Sequence, residues 1–295
     1  MPLKKIKHKK IFPLLVLVFL SMIWGSSFIL IKKGLLSFTP VQVAALRIFF
    51  ASVVLLPISL KYINEFKLHW KTIVFLGLIS NFIPAFLIAV AETKINSSLA
   101  GMLNSLTPIT TMIIGAIFFK TKLTLKLSIG LFIGLIGSLV LSFVSSSGNF
   151  GSFNFYVLYV AGVTVLYGFS GNLIKDFVNK INPLILVPLE LLAMLPLTII
   201  VLFYTNIYQK ISISQHAVLS LTALFILGAA STSFAGIIYI KLVKRTTAVF
   251  AAASTYLIPV GAIAWGLLDN EIIYPLHLLG IGLIIIGVLL VNKFR

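Results

Sequence analysis

The sequence predicts an all-α integral membrane protein, with ten transmembrane helices arranged as two inverted five-helix repeats. Composition, the spacing of apolar runs and an internal repeat support this prediction. Of the 295 residues, 60% are hydrophobic and only 10% are charged, and the mean hydropathy is +1.14. Since a soluble domain has roughly a quarter charged residues, we expect the solvent of this chain to be a lipid bilayer.

Ten apolar runs have the length of about 20 residues that a helix needs to cross a bilayer. They lie near residues 12–31, 41–60, 72–91, 98–118, 128–145, 155–174, 184–204, 218–240, 247–268 and 276–292. The first run follows five lysines but continues through Leu30 without a small-residue cleavage pattern, so we predict a retained helix rather than a secretory signal. A Ser- and Gly-rich stretch then divides the chain into two predicted five-helix domains, residues 1–145 and 155–295.

The positions of the basic residues predict which side of the membrane each loop faces. With the N-terminus in the cytoplasm, the cytoplasmic segments hold 18 Lys and Arg residues and the opposite segments hold four, while Arg47 lies within a span. Positively charged segments tend to stay cytoplasmic. Both termini are therefore predicted to be cytoplasmic, in a multi-pass protein of the inner or plasma membrane.

An internal repeat relates the two halves of the chain. Residues 77–108 align without gaps with residues 228–259 at an offset of 151, and Pro40 aligns with Pro183 at an offset of 143. The fifth span aligns with the tenth at an offset of 150. Apolar segments can align by composition alone, but the coincidence of Gly and Pro positions favours duplication. Five is an odd number, so the second repeat must enter the membrane from the opposite side, as in many secondary transporters.

Several short motifs of this sequence resemble the EamA family of the drug/metabolite transporter superfamily. They are Trp24-Gly25-Ser26-Ser27-Phe28, Thr39-Pro40, Leu46-Arg47, Leu106-Thr107-Pro108, Leu257-Ile258-Pro259 and the stretch from Leu279-Gly280 to Gly287-Val288. The resemblance implies a ten-helix transporter of amino acids, nucleosides or related metabolites. It also implies a central cavity lined by the first to fourth and sixth to ninth helices, with the fifth and tenth helices at the periphery.

Polar and aromatic residues within the spans are the candidates for lining such a cavity. We nominate Trp24, Ser27, Asn81, Asn104, Tyr167, Asn172, Thr232 and Thr255. Asn104 lies on a helical face of small and polar residues, which favours either a cavity or close helix packing. A buried amide needs polar partners, so we favour the cavity at that turn. Trp24 and Tyr167 either contact a substrate or pack with their polar atoms bonded to neighbours.

Three prolines within the spans, Pro84, Pro108 and Pro259, are candidate hinges. Each removes one backbone hydrogen bond and frees a carbonyl on the preceding turn. The alternative is a simple kink without a functional role.

Two charged residues, Arg47 and Glu190, lie well inside the spans and are repeat mates at the offset of 143. An ionisable residue at such a depth is a functional candidate, and the alternatives are a structural ion pair or side chains that reach the interface. Inversion of the repeats predicts Arg47 in the outer half of the membrane and Glu190 in the inner half. We interpret Glu190 as structural rather than as the site of energy coupling.

Other classes of function have little support in the sequence. The chain has no Cys, its four His residues lie in loops or at helix ends, and it has no HExxH, GxSxG or GxxxxGK[ST] motif. We therefore predict no enzyme activity, metal site, cofactor or nucleic-acid partner. The expected function is secondary transport of a small polar metabolite by alternating access, with proton or exchange coupling. A channel and a non-transporting membrane scaffold remain the alternatives.

Overall fold

A computed structural model of the chain describes residues 3–121, 125–143, 155–268 and 274–293, and all regular elements in these ranges are helical. The α-helices are α1 (Leu3–Gly34), α2 (Pro40–Lys61), α3 (Ile63–Gly77), α4 (Ile83–Ala91), α5 (Ser97–Asn104), α6 (Thr107–Phe118), α7 (Leu125–Phe143), α8 (Val157–Phe177), α9 (Pro183–Tyr204), α10 (Ile207–Ile213), α11 (Ala217–Ile226), α12 (Ala235–Arg245), α13 (Ala248–Ala252), α14 (Ile258–Leu268) and α15 (Pro275–Lys293). The prediction of an all-helical chain is thus confirmed for these ranges.

Three of these helices continue into the next through a short segment of different helical geometry. The π-helical segment Leu78–Phe82 joins α3 to α4, and the π-helical segment Leu227–Phe234 joins α11 to α12. The 3₁₀ segment Ala253–Leu257 joins α13 to α14. Helix geometry therefore changes in the middle of long apolar stretches.

The chain is a multi-span membrane protein. In the described ranges, seven helical stretches are long and apolar enough to cross a bilayer: Pro13–Gly34, Pro40–Lys61, Ile63–Ala91, Ser97–Phe118, Val157–Phe177, Pro183–Tyr204 and Ala217–Arg245. Three shorter apolar helices cover Ser128–Gly137, Ala248–Gly261 and Leu278–Gly287. All ten lie within or over the predicted runs, and seven of them meet the criteria of length and composition together, so the prediction of ten full spans is confirmed only in part.

Local sequence explains where the second helix of each half begins. Gln42 N donates to Thr39 Oγ1 at 3.3 Å, and Thr39 N donates to Gln42 Oε1 at 3.0 Å. This reciprocal cap satisfies backbone donors at the start of α2. At the start of α9, Leu184 N donates to Asn182 Oδ1 at 3.0 Å. Both helices then have proline at their first position, where the absent N–H costs nothing.

The helices of the two halves begin and end at equivalent positions. Helices α2 and α9 match at the offset of 143 at both ends, and α7 and α15 match at the offset of 150 at both ends. The two π-helical segments overlap at the offset of 151. The internal repeat of the sequence is therefore also a repeat of local structure.

The two halves pack against each other along their length. Helix α2 lies along α9, α1 packs on α11 and α14, and α7 lies along α15. Gly25 of α1 permits the contact with α14, because a Cβ atom there would be only 3.0 Å from Gly261 Cα. Helices of the two halves thus pack together in one core. A site formed by residues of both halves can lie between them.

Candidate functional site

A cavity of about 130 Å³ lies between the two halves. Its walls come from α1, α2, α4 to α6, α8, α9, α12, α13 and the segments that join them, and none of the described residues of α7 or α15 lines it. These walls correspond to the first to fourth and sixth to ninth predicted spans. Seven of the eight nominated residues line the cavity: Trp24, Ser27, Asn81, Asn104, Tyr167, Thr232 and Thr255.

The lining residues come in pairs that the internal repeat relates. At the offset of 143, the pairs are Trp24 with Tyr167, Ser27 with Ser170, Ile31 with Ile174, and Arg47 with Glu190. At the offset of 151, they are Ser80 with Ser231, Asn81 with Thr232, Ile88 with Tyr239, and Asn104 with Thr255. These eight pairs make up 16 of the 22 lining residues. The cavity is therefore built by equivalent positions of both repeats.

Glu190 of α9 lines the cavity and is almost completely buried, with 1% of its surface exposed. Its Oε2 atom accepts hydrogen bonds from Ser80 Oγ at 3.0 Å and from Asn81 Nδ2 at 2.9 Å. Its Oε1 atom has no hydrogen-bond partner among the described residues. The carboxyl group is thus held by the π-helical segment of the first repeat through one oxygen only.

Arg47 of α2 occupies the equivalent place in the other repeat. Its Nε atom donates to Thr232 Oγ1 at 2.9 Å, and Thr232 belongs to the second π-helical segment. Gly228 allows this segment to lie against α2, because a Cβ atom there would be 2.6 Å from the carbonyl oxygen of Arg47. Each charged residue therefore bonds to the π-helical segment of the opposite repeat.

Arg47 and Glu190 do not form the ion pair that was one alternative for them. In the described part of the chain, neither side chain has an oppositely charged group within 4 Å. Glu190 instead bonds to neutral side chains of the first repeat, which agrees with a structural role for its Oε2 atom. Whether it also contributes to energy coupling stays a prediction.

The π-helical segments bring polar groups to the cavity. A π-helical turn shifts the register of the helix and leaves a backbone carbonyl without its usual partner. In the second segment, the carbonyl of Ser231 accepts a hydrogen bond from Trp24 Nε1 at 3.0 Å. This bond gives the indole N–H of Trp24 a partner within the protein. The centroid of the Trp24 ring lies 5.4 Å from that of the Tyr239 ring. Trp24 is therefore both bonded to a neighbour and a wall of the cavity.

The candidate hinge prolines each lie just after a change in helix geometry. Pro84 follows the first π-helical segment, and Pro108 and Pro259 are the second residues of α6 and α14. Pro108 cannot donate to the carbonyl of Asn104, and Thr107 Oγ1 donates to that carbonyl at 2.7 Å instead. The helical stretch from α5 to α6 is therefore interrupted beside Asn104 and Thr107, which both line the cavity. Motion at the three prolines stays a prediction.

The structure gives Asn172 a different position from the predicted one. It is not among the residues that line the cavity, because its Nδ2 atom donates to the carbonyls of Thr111 at 2.8 Å and Gly168 at 2.9 Å. The bond to Thr111 holds α8 against α6, whereas the bond to Gly168 lies within α8. A Cβ atom on Gly115 would be 2.8 Å from Asn172 Oδ1, so this part of the small-residue face of α6 serves helix packing, whereas Asn104 faces the cavity.

Sequence reasoning did not nominate Ser80, Thr107 or Tyr239, which line the cavity as well. Ser80 is the repeat mate of Ser231 and Tyr239 is that of Ile88, and neither mate is among the nominated residues, so the offsets alone did not lead to them. Within the described residues, no three His, Asp or Glu side chains come together as a metal site.

Comparisons with known proteins agree with this architecture. The model of the EamA-like transporter family matches residues 11–143 and 154–293. The chain is 26% identical over 277 residues to an uncharacterized transporter of Archaeoglobus fulgidus, covering 92% of this chain and 95% of that protein. It is also similar in fold to a crystal structure, with a TM-score of 0.72, 17% identity, and coverage of 94% of this chain and 96% of the other. Because the family model matches most of its length in two copies, the chain belongs to the EamA-like transporter family.

Proposed function

We propose that the chain is a secondary transporter that moves a small polar metabolite, such as an amino acid or a nucleoside, across the cytoplasmic membrane by alternating access. The observation that carries this proposal is the cavity lined by eight pairs of repeat mates. Carriers of this type have substrate sites at the interface of inverted repeats, and rocking of one repeat against the other exposes the site to each side in turn.

Ten spans with both termini in the cytoplasm fit this proposal. Helices α7 and α15 each have 19 residues, and at 1.5 Å per residue each is about 28 Å long, close to the roughly 30 Å of a hydrocarbon core. With α13 and α14 as one interrupted span, each repeat has five spans. An odd number inverts the second repeat, and the distribution of Lys and Arg supports the same orientation.

The walls of the cavity favour a small polar solute. Ser27, Asn81 and Asn104 contribute hydroxyl and amide groups to the lining of the cavity, and Trp24 and Tyr167 contribute aromatic rings. Such walls supply hydrogen bonds to a polar group and an apolar surface to the rest of the solute.

Counterflow in liposomes tests this proposal. The purified protein is reconstituted in vesicles loaded with an unlabelled mixture of amino acids and nucleosides, and uptake of each labelled compound is followed. A carrier gives uptake that saturates with concentration and requires the unlabelled compound inside. Flux that does not saturate and does not exchange would show a channel instead. Uptake equal to that of protein-free vesicles for all compounds would contradict the proposal.

A further inference from the structure

We propose that residues 60–71 form a docking surface for the headgroups of anionic phospholipids. This surface, the basic interfacial segment, covers the end of α2 and the first half of α3. All of its residues are described by the structure, and none of them lines the cavity. The inference therefore goes beyond the proposed function and does not depend on the transported solute.

Helix α3 begins before the membrane span that it enters. The helical stretch Ile63–Ala91 has 29 residues, which at 1.5 Å per residue is about 43 Å and exceeds the roughly 30 Å of a hydrocarbon core. At His69 the backbone leaves helical geometry, with φ −121° and ψ 19°, and the helix is kinked there. The part from Trp70 to Ala91 is about 33 Å long, which is enough to cross the core. The residues before the kink are then left at one surface of the membrane.

The exposed side chains of the basic interfacial segment suit the boundary between lipid and water. Leu68 is 72% exposed, and Leu60, Tyr62 and Trp70 are exposed as well. Exposed apolar side chains that lie together mark a surface that contacts a membrane or another partner, and Tyr and Trp rings are typical of the headgroup level. Phe66 packs against the hydrophobic core instead. The segment is thus held on the protein while its other side is open to lipid.

Lysine side chains place positive charge beside these aromatic rings. The exposed basic residues of the segment are Lys61, Lys67 and Lys71. Lys61 Nζ lies 5.7 Å from the centroid of the Tyr62 ring, and Lys71 Nζ lies 5.8 Å from that of the Trp70 ring. Since such rings lie at the headgroup level, these ammonium groups come within reach of lipid phosphates. Glu65 is the one acidic residue of the segment, so its net charge is positive.

The other repeat has a counterpart of this segment with little charge. Helix α10 also lies between the second and third spans of its repeat, and none of its residues is buried. Tyr208, Ile211 and Ile213 are exposed there, whereas Lys210 is the one charged residue of α10. Exposed apolar and aromatic side chains therefore occur in both repeats, but a cluster of lysines occurs in one. The interfacial position follows from the fold, and the additional positive charge indicates an anionic partner on one side.

Anionic phospholipids fit both properties of the basic interfacial segment. The headgroup phosphate attracts the ammonium groups, and the acyl chains provide the apolar surrounding of Leu68 and Trp70. A soluble anion supplies only the first of these contacts. The distribution of Lys and Arg assigns the segment to the cytoplasmic face in the proposed topology, where the leaflet is negatively charged.

Quenching of Trp70 fluorescence in lipid vesicles tests this inference at the segment itself. The full chain is reconstituted in phosphatidylcholine that contains the same minor fraction of either brominated phosphatidylglycerol or brominated phosphatidylcholine, with equal composition in both leaflets. The chain has three tryptophans, so the signal of Trp70 is obtained by subtracting that of Trp70→Phe. We expect the anionic lipid to quench Trp70 about twofold more strongly, because the lysines concentrate it locally. Equal quenching by both lipids would overturn the inference.

Charge variants show whether the lysines are responsible. In the triple variant Lys61→Gln, Lys67→Gln and Lys71→Gln, we expect both lipids to quench Trp70 equally. The corresponding triple arginine variant keeps the charges and should keep the preference for the anionic lipid. The ratio of quenching by the two lipids is measured within one variant, so it does not depend on the yield of protein. A preference that persists in the glutamine variant would refute the assignment to these residues.

Helix α10 provides the matched control. Tyr208→Trp in the Trp70→Phe background reports on the segment that has little charge, and we expect equal quenching by the two lipids there. If the anionic lipid is preferred at both positions to the same extent, it collects around the whole protein, and the proposal of a specific surface is wrong.

Inorganic phosphate distinguishes a lipid from a free anion. Sodium phosphate and sodium chloride are compared at the same ionic strength, because salt of either kind screens exposed charges. We expect both salts to reduce the preference of Trp70 for the anionic lipid to the same extent. If phosphate abolishes the preference and chloride does not, the segment binds free phosphate, which contradicts a lipid-specific surface.

Discussion

Glu190 Oε2 accepts a hydrogen bond from Asn81 Nδ2 at 2.9 Å, which ties the second helix of one repeat to the π-helical segment of the other. The repeat mates of these two residues are Arg47 and Thr232, and they form the equivalent bond at 2.9 Å. Two related bonds therefore join the halves of the protein at its cavity, although the residue types differ in all four positions.

We predict that Asn81→Ala destabilises the protein by about 1–3 kcal/mol, because it removes a hydrogen bond to a buried carboxyl group. Thermal unfolding in detergent measures the change as a lower Tm. Thr93→Ala is the control, since Thr93 Oγ1 forms only an exposed bond within its own turn. An unchanged Tm for Asn81→Ala would show that this bond contributes nothing to stability.

Asn104→Ala is expected to weaken substrate binding more than it lowers the yield of folded protein, since Asn104 lines the cavity. Phe118→Ala is the comparison, because Phe118 is 64% exposed on the lipid-facing side of α6 and should leave both quantities nearly unchanged. Size-exclusion chromatography gives the folded yield, and titration gives the affinity per folded molecule. If the yield falls while the affinity stays the same, Asn104 is a packing residue.

Gly228→Ala is predicted to lower both Tm and substrate affinity. The added Cβ atom would lie 2.6 Å from the backbone oxygen of Arg47, and backbone on both sides has to shift to relieve the contact. Gly162→Ala in α8 is the matched control, because a Cβ atom there meets nothing within 4 Å. Gly162→Ala reduces the conformational freedom of the unfolded backbone without a clash in the folded state, so its Tm should be unchanged or higher. Equal Tm values for the two variants would refute the close approach.

Topology can be tested with introduced cysteines, since the native chain has none. We expect an impermeant thiol reagent to label Ser147→Cys and Gln209→Cys in intact cells, and to label Thr124→Cys and Asn179→Cys only after permeabilisation. Gln209 is exposed within α10, and Asn179 is exposed just after α8, while Ser147 and Thr124 lie outside the described residues. Labelling of Thr124→Cys in intact cells would contradict the ten-span topology.

Sequence patterns predicted the helices and much of the cavity because both depend on local or repeated features. Apolar run length defines a span, and Thr39 and Asn182 define helix starts through their own side chains. The offsets then indicate that residues such as Arg47 and Glu190 occupy equivalent places. These inferences need no knowledge of how the helices pack.

Other features depend on packing and were not predictable in this way. The π-helical geometry at Leu78–Phe82 arises inside an apolar run whose periodicity gives no sign of it. Asn172 was nominated for the cavity as a polar residue within a span, yet its amide donates a hydrogen bond to the carbonyl of Thr111 on a neighbouring helix. A sequence shows that a polar group needs a partner, whereas only the fold shows which partner it finds.

The role of Glu190 in energy coupling is the last point that an experiment can decide. One of its oxygens is bonded to Ser80 and Asn81, and we assign the carboxyl group to structure rather than to a transported proton. We therefore predict that Glu190→Gln still responds to an imposed pH gradient in liposomes, if the wild type does. The assay uses solute concentrations above the weakened dissociation constant of the variant, so that loss of affinity is not mistaken for loss of coupling. Asn81→Ala, which removes one donor and leaves the carboxyl group, serves as the comparison. If the wild type is driven by the gradient while Glu190→Gln exchanges solute but no longer responds, Glu190 transfers the proton and our assignment is wrong.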